Sequence, residues 1–519
     1  MCCYFVLVKE NVNIVWFKRD LRIHDNVALH EAVLTGLPTI PLYVVEPEYW
    51  QQPFASRRHW NFIHDCLSEL FTDCSNLGQP LITRVGKMVE ILNAFHSDYN
   101  IKGIFAHEES GNGWTYSRDR KVIEWCKNQD ISYHEYPSNG VVRHLKKRDD
   151  WSRIRNARMA KPLVEKPKKL KSITNISLEA IPSKKNPIFG DYIDGITQKG
   201  GRREGIKALW NFLNESSKNY IYHLSAPGKS EQYCSRLSPH LTWGTLSMRE
   251  VIQLSKKHRK NLNNQNSKTW KRNLAAFESR LSWRCHFIQK IEDQPSIEKK
   301  CMHPAFEVMR EKYHNEHYFQ AWKKGSTGYP FIDACMRSLI YEGWITFRMR
   351  AMLMSFASYH LWLDWRKTGD HLARLFTDYE PGIHYSQLQM QSGVTGINAL
   401  RIYNPIKQSQ DHDKKGAFIK QWVPELRYVS SNWIHEPSKM TISMQKEVQC
   451  IIGTDYPEPI VDQTHAAKSA RARIRVIQKD QAFKDKAKDI YKRLGSRKRP
   501  NNRKKHKTTS VTQLSFNLQ

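Results

Sequence analysis

Short apolar runs, each five to seven residues long and closed by polar or turn-forming residues, mark the first third of the chain. NIVWF (13–17), TIPLYVV (39–45), LITRV (81–85), KGIFAH (102–107) and ISYHEY (131–136) have the length and β-branched content of strands. Residues 56–71 and 116–128 carry apolar positions at helical spacing between them. This alternation predicts an α/β fold, with a Rossmann-like parallel-sheet domain over residues 1–165. Parallel sheets gather ligands beyond the carboxyl ends of their strands. Those ends are KRDLRIHDN after the first strand and EESGNGWTYSRD after the fourth. Residues 166–200 lose both periods and are rich in Lys, Ser and Pro, which predicts a connector. From 201 to 462 the period is helical, as in NLAAFESRLSWRCHFIQKIED and RMRAMLMSFASYHLWLDW, and predicts a larger all-α domain. Residues 463–519 read as a basic, largely disordered tail whose part up to 494 has the spacing of a basic helix.

Charge changes this picture most. The chain of 519 residues has a net charge of +31, and 17 Lys/Arg against 3 Asp fall within residues 468–507. More than half of the excess lies elsewhere, so the body is basic too. That favours a polyanionic partner, with nucleic acid ahead of a membrane surface. The ten cysteines form no C-x-x-C pair, which argues for reduced thiols and against a disulfide framework. Cys285, Cys301 and Cys335 read as buried thiols rather than iron–sulfur ligands. No apolar run reaches the roughly 20 residues of a membrane-spanning helix, and no signal-peptide pattern opens the sequence. A soluble, intracellular monomer of the cytoplasm or nucleus is expected.

Two segments carry candidate chemistry. FTDYEPGIHYSQLQMQSG (376–393) packs Asp378, Glu380 and His384 into seven residues and follows them with Gln387, Gln389 and Gln391. The first three are metal-ligand types, but no second His or Cys cluster stands nearby, and a pocket wall explains the segment better. In SRLSPHL, Ser235 and Ser238 offer hydroxyls and Pro239 suits a first helical turn, an arrangement that fits a phosphate.

VWFKRDLRIHDN, SRLSPHLTWGTLS, GYPFIDACMRSL, EGWITFRMR and RIYNPIKQSQ occur in this order, and through them the chain resembles the photolyase/cryptochrome family over residues 1–430. The resemblance implies flavin adenine dinucleotide (FAD) in the helical domain and electron transfer driven by light. Photolyases use that electron to split pyrimidine dimers in DNA, whereas cryptochromes use the pocket for signalling. The charge favours a DNA photolyase, with a cryptochrome photoreceptor as the alternative.

The resemblance also assigns residues. It places Tyr222, Cys234, Ser235, Arg236, Leu237 and Ser238 around the FAD phosphates, with Cys234 where the family has Thr. It puts Arg350 and Asp378 in an ion pair beside the flavin ring, Glu380 at a second acidic position, and His384 near the ring's N5. A protonatable His384 there would make the flavin's charge depend on pH. Trp283, Arg284 and Met390 fall at the lesion, while Arg280 replaces a Glu and Phe347 an Asn of the FAD and substrate site. Trp365 matches the middle Trp of an electron chain, with Tyr313 beside its outer position and Tyr385 the one aromatic candidate for its inner position. Glu108 and Glu109 match the place of a second, antenna chromophore of folate or deazaflavin type. In the tail, Gln513, Leu514 and Phe516 resemble a sliding-clamp-binding peptide.

Overall fold

The computed structural model describes residues 9–173, 175–263 and 267–496. The clamp-like residues Gln513, Leu514 and Phe516 lie outside them.

Five strands, β1 (Asn11–Trp16), β2 (Thr39–Val45), β3 (Ile82–Val85), β4 (Asn100–His107) and β5 (Ser132–Tyr136), form one parallel sheet in the order β3-β2-β1-β4-β5. Successive side chains of a strand point to opposite faces. Val12, Ile14 and Trp16 therefore join one core, with Leu92 and Phe95 of one helix and Val122 and Trp125 of another. Val15, Phe17 and Tyr43 join the opposite core, with Leu29, Trp60 and Ile63. The helices supplying these residues are α1 (Val27–Leu34) and α2 (Arg57–Asn76) on one face, and α3 (Met88–Asp98) and α4 (Gly113–Asn128) on the other. Burial on both faces is why β1 and β2 read as unbroken apolar runs.

Among its described residues the connector has no regular element beyond a 3₁₀ turn at Pro187–Phe189, yet it is pinned. Leu170 and Phe189 are buried in the α1/α2 core, and the Phe189 ring stacks on Trp60 at 4.1 Å. Helix α5 (Trp151–Ala160), which the periodicity placed with the first domain, packs Trp151 and Met159 against Leu209, Val251 and Cys285 of the helical part.

Up to residue 494 the tail is helical, as its spacing suggested, but it forms two helices that are docked rather than free. Helices α6 (Gln463–Gln478) and α7 (Gln481–Leu494) dock on the body. Ala470, Ile474, Phe483, Ile490 and Leu494 join the large core that holds Trp362 and Trp365. The Phe483 ring stacks on His303 at 3.9 Å. Two aspartates cap these helices: Asp462 accepts from the His465 N–H at 2.6 Å, and Asp480 from the Ala482 N–H at 3.1 Å. A narrow apolar stripe among many charges is enough to dock a helix, and composition alone conceals it.

The loop after β1 plugs into the helical part. The Leu21 N–H donates to the Trp243 carbonyl at 3.2 Å, and Arg22 donates to the Gly244 carbonyl at 2.9 Å. Arg19 reaches the Tyr379 carbonyl at 3.2 Å and lies 4.6 Å from the Trp243 ring, while Arg249 clasps Asp25. Among the described residues, no helix is long and apolar enough to cross a membrane.

Candidate functional site

A cavity of about 320 Å³ opens in the helical part, within the roughly 300–1,000 Å³ of small-molecule sites. Three walls come from the helices Ser267–Asp293, Phe347–Ser355 and Pro381–Ser392, and a fourth from the loop 234–238. That loop turns at Arg236, a non-glycine residue at φ +53°. Pro239 opens a helix of one turn, Ser238–Thr242, too short for much dipole, so polar contact here falls to side chains and loop N–H groups.

Cys234, Ser235, Arg236, Leu237 and Ser238 all line the cavity. So do Arg280, Trp283 and Arg284 from one helix, Phe347 and Arg350 from the next, and Asp378, Glu380 and His384 from the third segment. Arg350 and Asp378 pair bidentately at 2.9 and 3.0 Å, and the Arg350 Nε–H donates to the Ile345 carbonyl at 2.9 Å. Burial pushes the Asp378 carboxyl up, but Arg350, the Ser238 hydroxyl and Arg284 together hold it below the usual range. Arg284 meets Glu380 at 2.7 Å, with both side chains 8% exposed. His384 sits 3.0 Å from the Gly369 carbonyl through Nε2, which therefore carries the proton. Burial pushes His384 down to about 4, which keeps it neutral at physiological pH in the protein alone and works against the switch expected of it. Asp378, Glu380 and His384 thus each have a protein partner and build a pocket wall.

Other expected residues lie elsewhere. Tyr222 is 65% exposed, and Tyr220, 8% exposed, lines the cavity instead. Two residues turn a helix by about 200°, so these two rings cannot face the same side. Met390 is buried but lines none of the cavity. Trp365 is enclosed in the large core. The Tyr385 hydroxyl lies 3.2 Å from that of Tyr379, a cavity residue, so Tyr385 stands one ring behind the wall. Tyr313 is 58% exposed, with Arg473 5.4 Å from its ring.

Glu108 and Glu109, expected at an antenna chromophore, line a small space beside the loop after β1. Glu109 is held by Arg118 at 2.6 Å and Arg19 at 3.4 Å. The space that Glu108 and Glu109 line is about 30 Å³, room for a water or two.

Tyr220 and Trp344 are cavity residues that the sequence did not mark, and Tyr379, Gln387 and Gln391 line the cavity within a segment read only as a pocket wall. The spacing of His384, Gln387, Leu388 and Gln391 follows one helical face and was the available signal. Several polar atoms in these walls are buried without a partner: Ser225 Oγ, Arg284 Nε, Gln387 Nε2 and Gln391 Oε1. Large apolar walls with a few unmet polar groups fit a flat, polar-edged ligand such as FAD.

Comparison with known proteins agrees. Residues 13–152 match the family model described as DNA photolyase, and residues 277–476 match that of the FAD binding domain of DNA photolyase. A deoxyribodipyrimidine photo-lyase of Streptomyces griseus is 27% identical, over 89% of this chain and 99% of its own. A cryptochrome DASH of Synechocystis is 26% identical, over 89% of this chain and 97% of its own. The crystal structure of a bacterial class III photolyase from Agrobacterium tumefaciens superposes with a TM-score of 0.78 at 24% identity, covering 92% of this chain and 100% of that one. The two family matches together span well over half of the sequence, and the chain belongs to the photolyase/cryptochrome family, with FAD as its cofactor.

Proposed function

We propose that the protein is a DNA photolyase that splits ultraviolet-induced pyrimidine dimers. The observation that carries this reading is Trp283. Its partly exposed ring forms cavity wall, braced by Phe287 at 5.7 Å and, edge-on, by His286 at 5.2 Å. A base unstacked by damage costs little extra to extrude, and an aromatic wall gives it a surface to stack on. The charge of +31 supplies phosphate contacts for the surrounding strand.

When bound, FAD supplies light absorption and the electron that opens the dimer. The chain's own residues prepare its site. Arg350, fixed by Asp378 and by the Ile345 carbonyl, holds a cation at the cavity where negative charge needs stabilising. Arg284 neutralises Glu380, so the second carboxylate adds no opposing field. Neutral His384 keeps the wall uncharged, and the apolar residues exclude water.

A second reading, a cryptochrome photoreceptor without repair, is favoured by Arg280 and Phe347. They put a cation and a hydrocarbon where the family resemblance calls for an acceptor and an amide, and both line the cavity. One experiment separates the two. The purified protein is bound to irradiated and intact oligonucleotides, then exposed to blue light. Preference for the irradiated strand with return of intact thymines is expected. Tight binding without repair overturns the photolyase reading and leaves the photoreceptor.

A further inference from the structure

The glutamines after His384 take no part in fixing Arg350, Glu380 or Trp283. Gln389 is structural: its amide donates to the Ile297 and Lys300 carbonyls, both at 2.8 Å, and accepts from the Met302 N–H at 2.6 Å. That bolts the helix Pro381–Ser392 to the neighbouring loop. Gln387 and Gln391, one turn apart, face the cavity instead. The Gln391 amide donates weakly to Gln387 Oε1 at 3.5 Å, which leaves Gln387 Nε2 and Gln391 Oε1 buried without partners.

An unmet donor beside an unmet acceptor is a specific pattern. Exchanging the N and O ends of both amides preserves it, and exchanging one alone would set two like atoms against each other, so the hydrogen bond between the two amides fixes the pattern. Leaving such atoms buried costs stability unless a ligand meets them. Their complement is a flat edge with an acceptor next to a donor, as on a nucleobase. An aromatic platform is close by: the Ser386 hydroxyl lies 3.5 Å from the Phe287 carbonyl, and the Phe287 ring packs against Trp283.

We propose that Gln387 and Gln391 form a base-reading clamp that hydrogen-bonds the amide-like edge of a nucleobase-type ring. This rests on the proposed function for its setting, and two sources share the chemistry. One is FAD itself, through its adenine or the uracil-like edge of its flavin ring. The other is a pyrimidine extruded from DNA. Here the resemblance offers Arg280 and Phe347 in place of the usual polar groups, so the clamp restores a donor–acceptor pair that they lack.

The test uses Gln387→Met and Gln391→Met, which keep volume and helix preference, and Gln387→Glu, which keeps size but replaces the donor with an acceptor. Three quantities are measured on the holoprotein. They are FAD release on dilution, affinity of the FAD-saturated protein for an oligonucleotide carrying one thymine dimer, and the denaturation midpoint. A weakening of roughly tenfold to hundredfold in one affinity is expected from all three variants. The Met variants should lower the midpoint by no more than any lost FAD affinity accounts for, because without the ligand they only remove unmet buried atoms. A change in FAD release identifies the cofactor as the ligand, and a change in oligonucleotide affinity identifies the extruded base. Both affinities staying within twofold of the parent overturns the clamp, as does a lowered midpoint with both affinities intact. Repair is not a readout, so a protein that never returns thymines sinks the proposed function and leaves the clamp standing or falling alone.

Discussion

Replacing Arg350 with Met should invert the pH dependence of stability that Asp378 contributes. In the parent, the Asp378 side chain is 5% exposed and its carboxyl is held below the usual range. Its stabilisation is therefore present above the unfolded-state value, near pH 4, and is lost as pH falls through the depressed folded value. Arg350 is 24% exposed and both its terminal nitrogens lie within 3.0 Å of the carboxylate. At about 4 Å between charge centres and an effective dielectric near 20, the attraction is about 4 kcal/mol, or roughly three pH units. The Ser238 hydroxyl and the field of Arg284 remain in the variant, but burial then dominates and carries the carboxyl above its unfolded value. A group raised in the folded state makes stability fall as pH climbs from about 4 towards 7. The expected penalty for Arg350→Met is about 3 kcal/mol at pH 8, and about 2 kcal/mol smaller at pH 5, where the carboxyl takes a proton. The assay is urea denaturation followed by tryptophan fluorescence, on FAD-saturated protein at both pH values. Adding Asp378→Asn to Arg350→Met should recover most of the loss at pH 8. An equal penalty at pH 5 and pH 8, or no recovery by the second substitution, refutes the reasoning.

Three further outcomes are expected. Phe483→Ala removes the ring stacked on His303 and should cost about 3–5 kcal/mol in the same denaturation assay; a loss under 1 kcal/mol would show that α7 contributes little to the fold. Trp283→Ala should weaken binding to dimer-containing DNA by about tenfold or more, read by fluorescence anisotropy, with binding to intact DNA nearly unchanged; an equal loss on both would mean that the ring does not meet the damaged base. Trp365→Phe keeps the core filled and should slow blue-light reduction of the bound flavin, followed by loss of its absorption band; an unchanged rate would place the route through other rings.

What the sequence made legible was local. The strand runs were read to within a few residues because both faces of β1 are buried, and that leaves an unbroken apolar signature. The loop 234–238 and the Asp378 segment could be placed because their residue types and order carry the pattern. What failed depended on phase or on distant partners. Tyr220 and Tyr222 differ by one helical half-turn, which no count of residues to the next motif resolves. Glu109 looked available until Arg19 and Arg118, ninety and nine positions away in the chain, were brought against it. The docked tail was hidden by composition: Ile474, Phe483 and Ile490 are few among many lysines and arginines, but they share one side. Gln387 and Gln391 were visible as residues, and their facing required the helix.

The plug formed by the loop after β1 has a consequence for how this protein could ever be divided. Arg19 and Arg22 spend their donors on the Tyr379 and Gly244 carbonyls, and Leu21 its N–H on Trp243. Tyr379 is itself cavity wall, so the sheet domain is a backing plate for the cofactor chamber. Cut at the connector, the helical half would present bare carbonyls behind its own binding site, and the sheet half would present arginine donors stripped of those acceptors. The two halves are therefore expected to melt in a single step, and gene fission between them should yield fragments that hold FAD only after they find each other again.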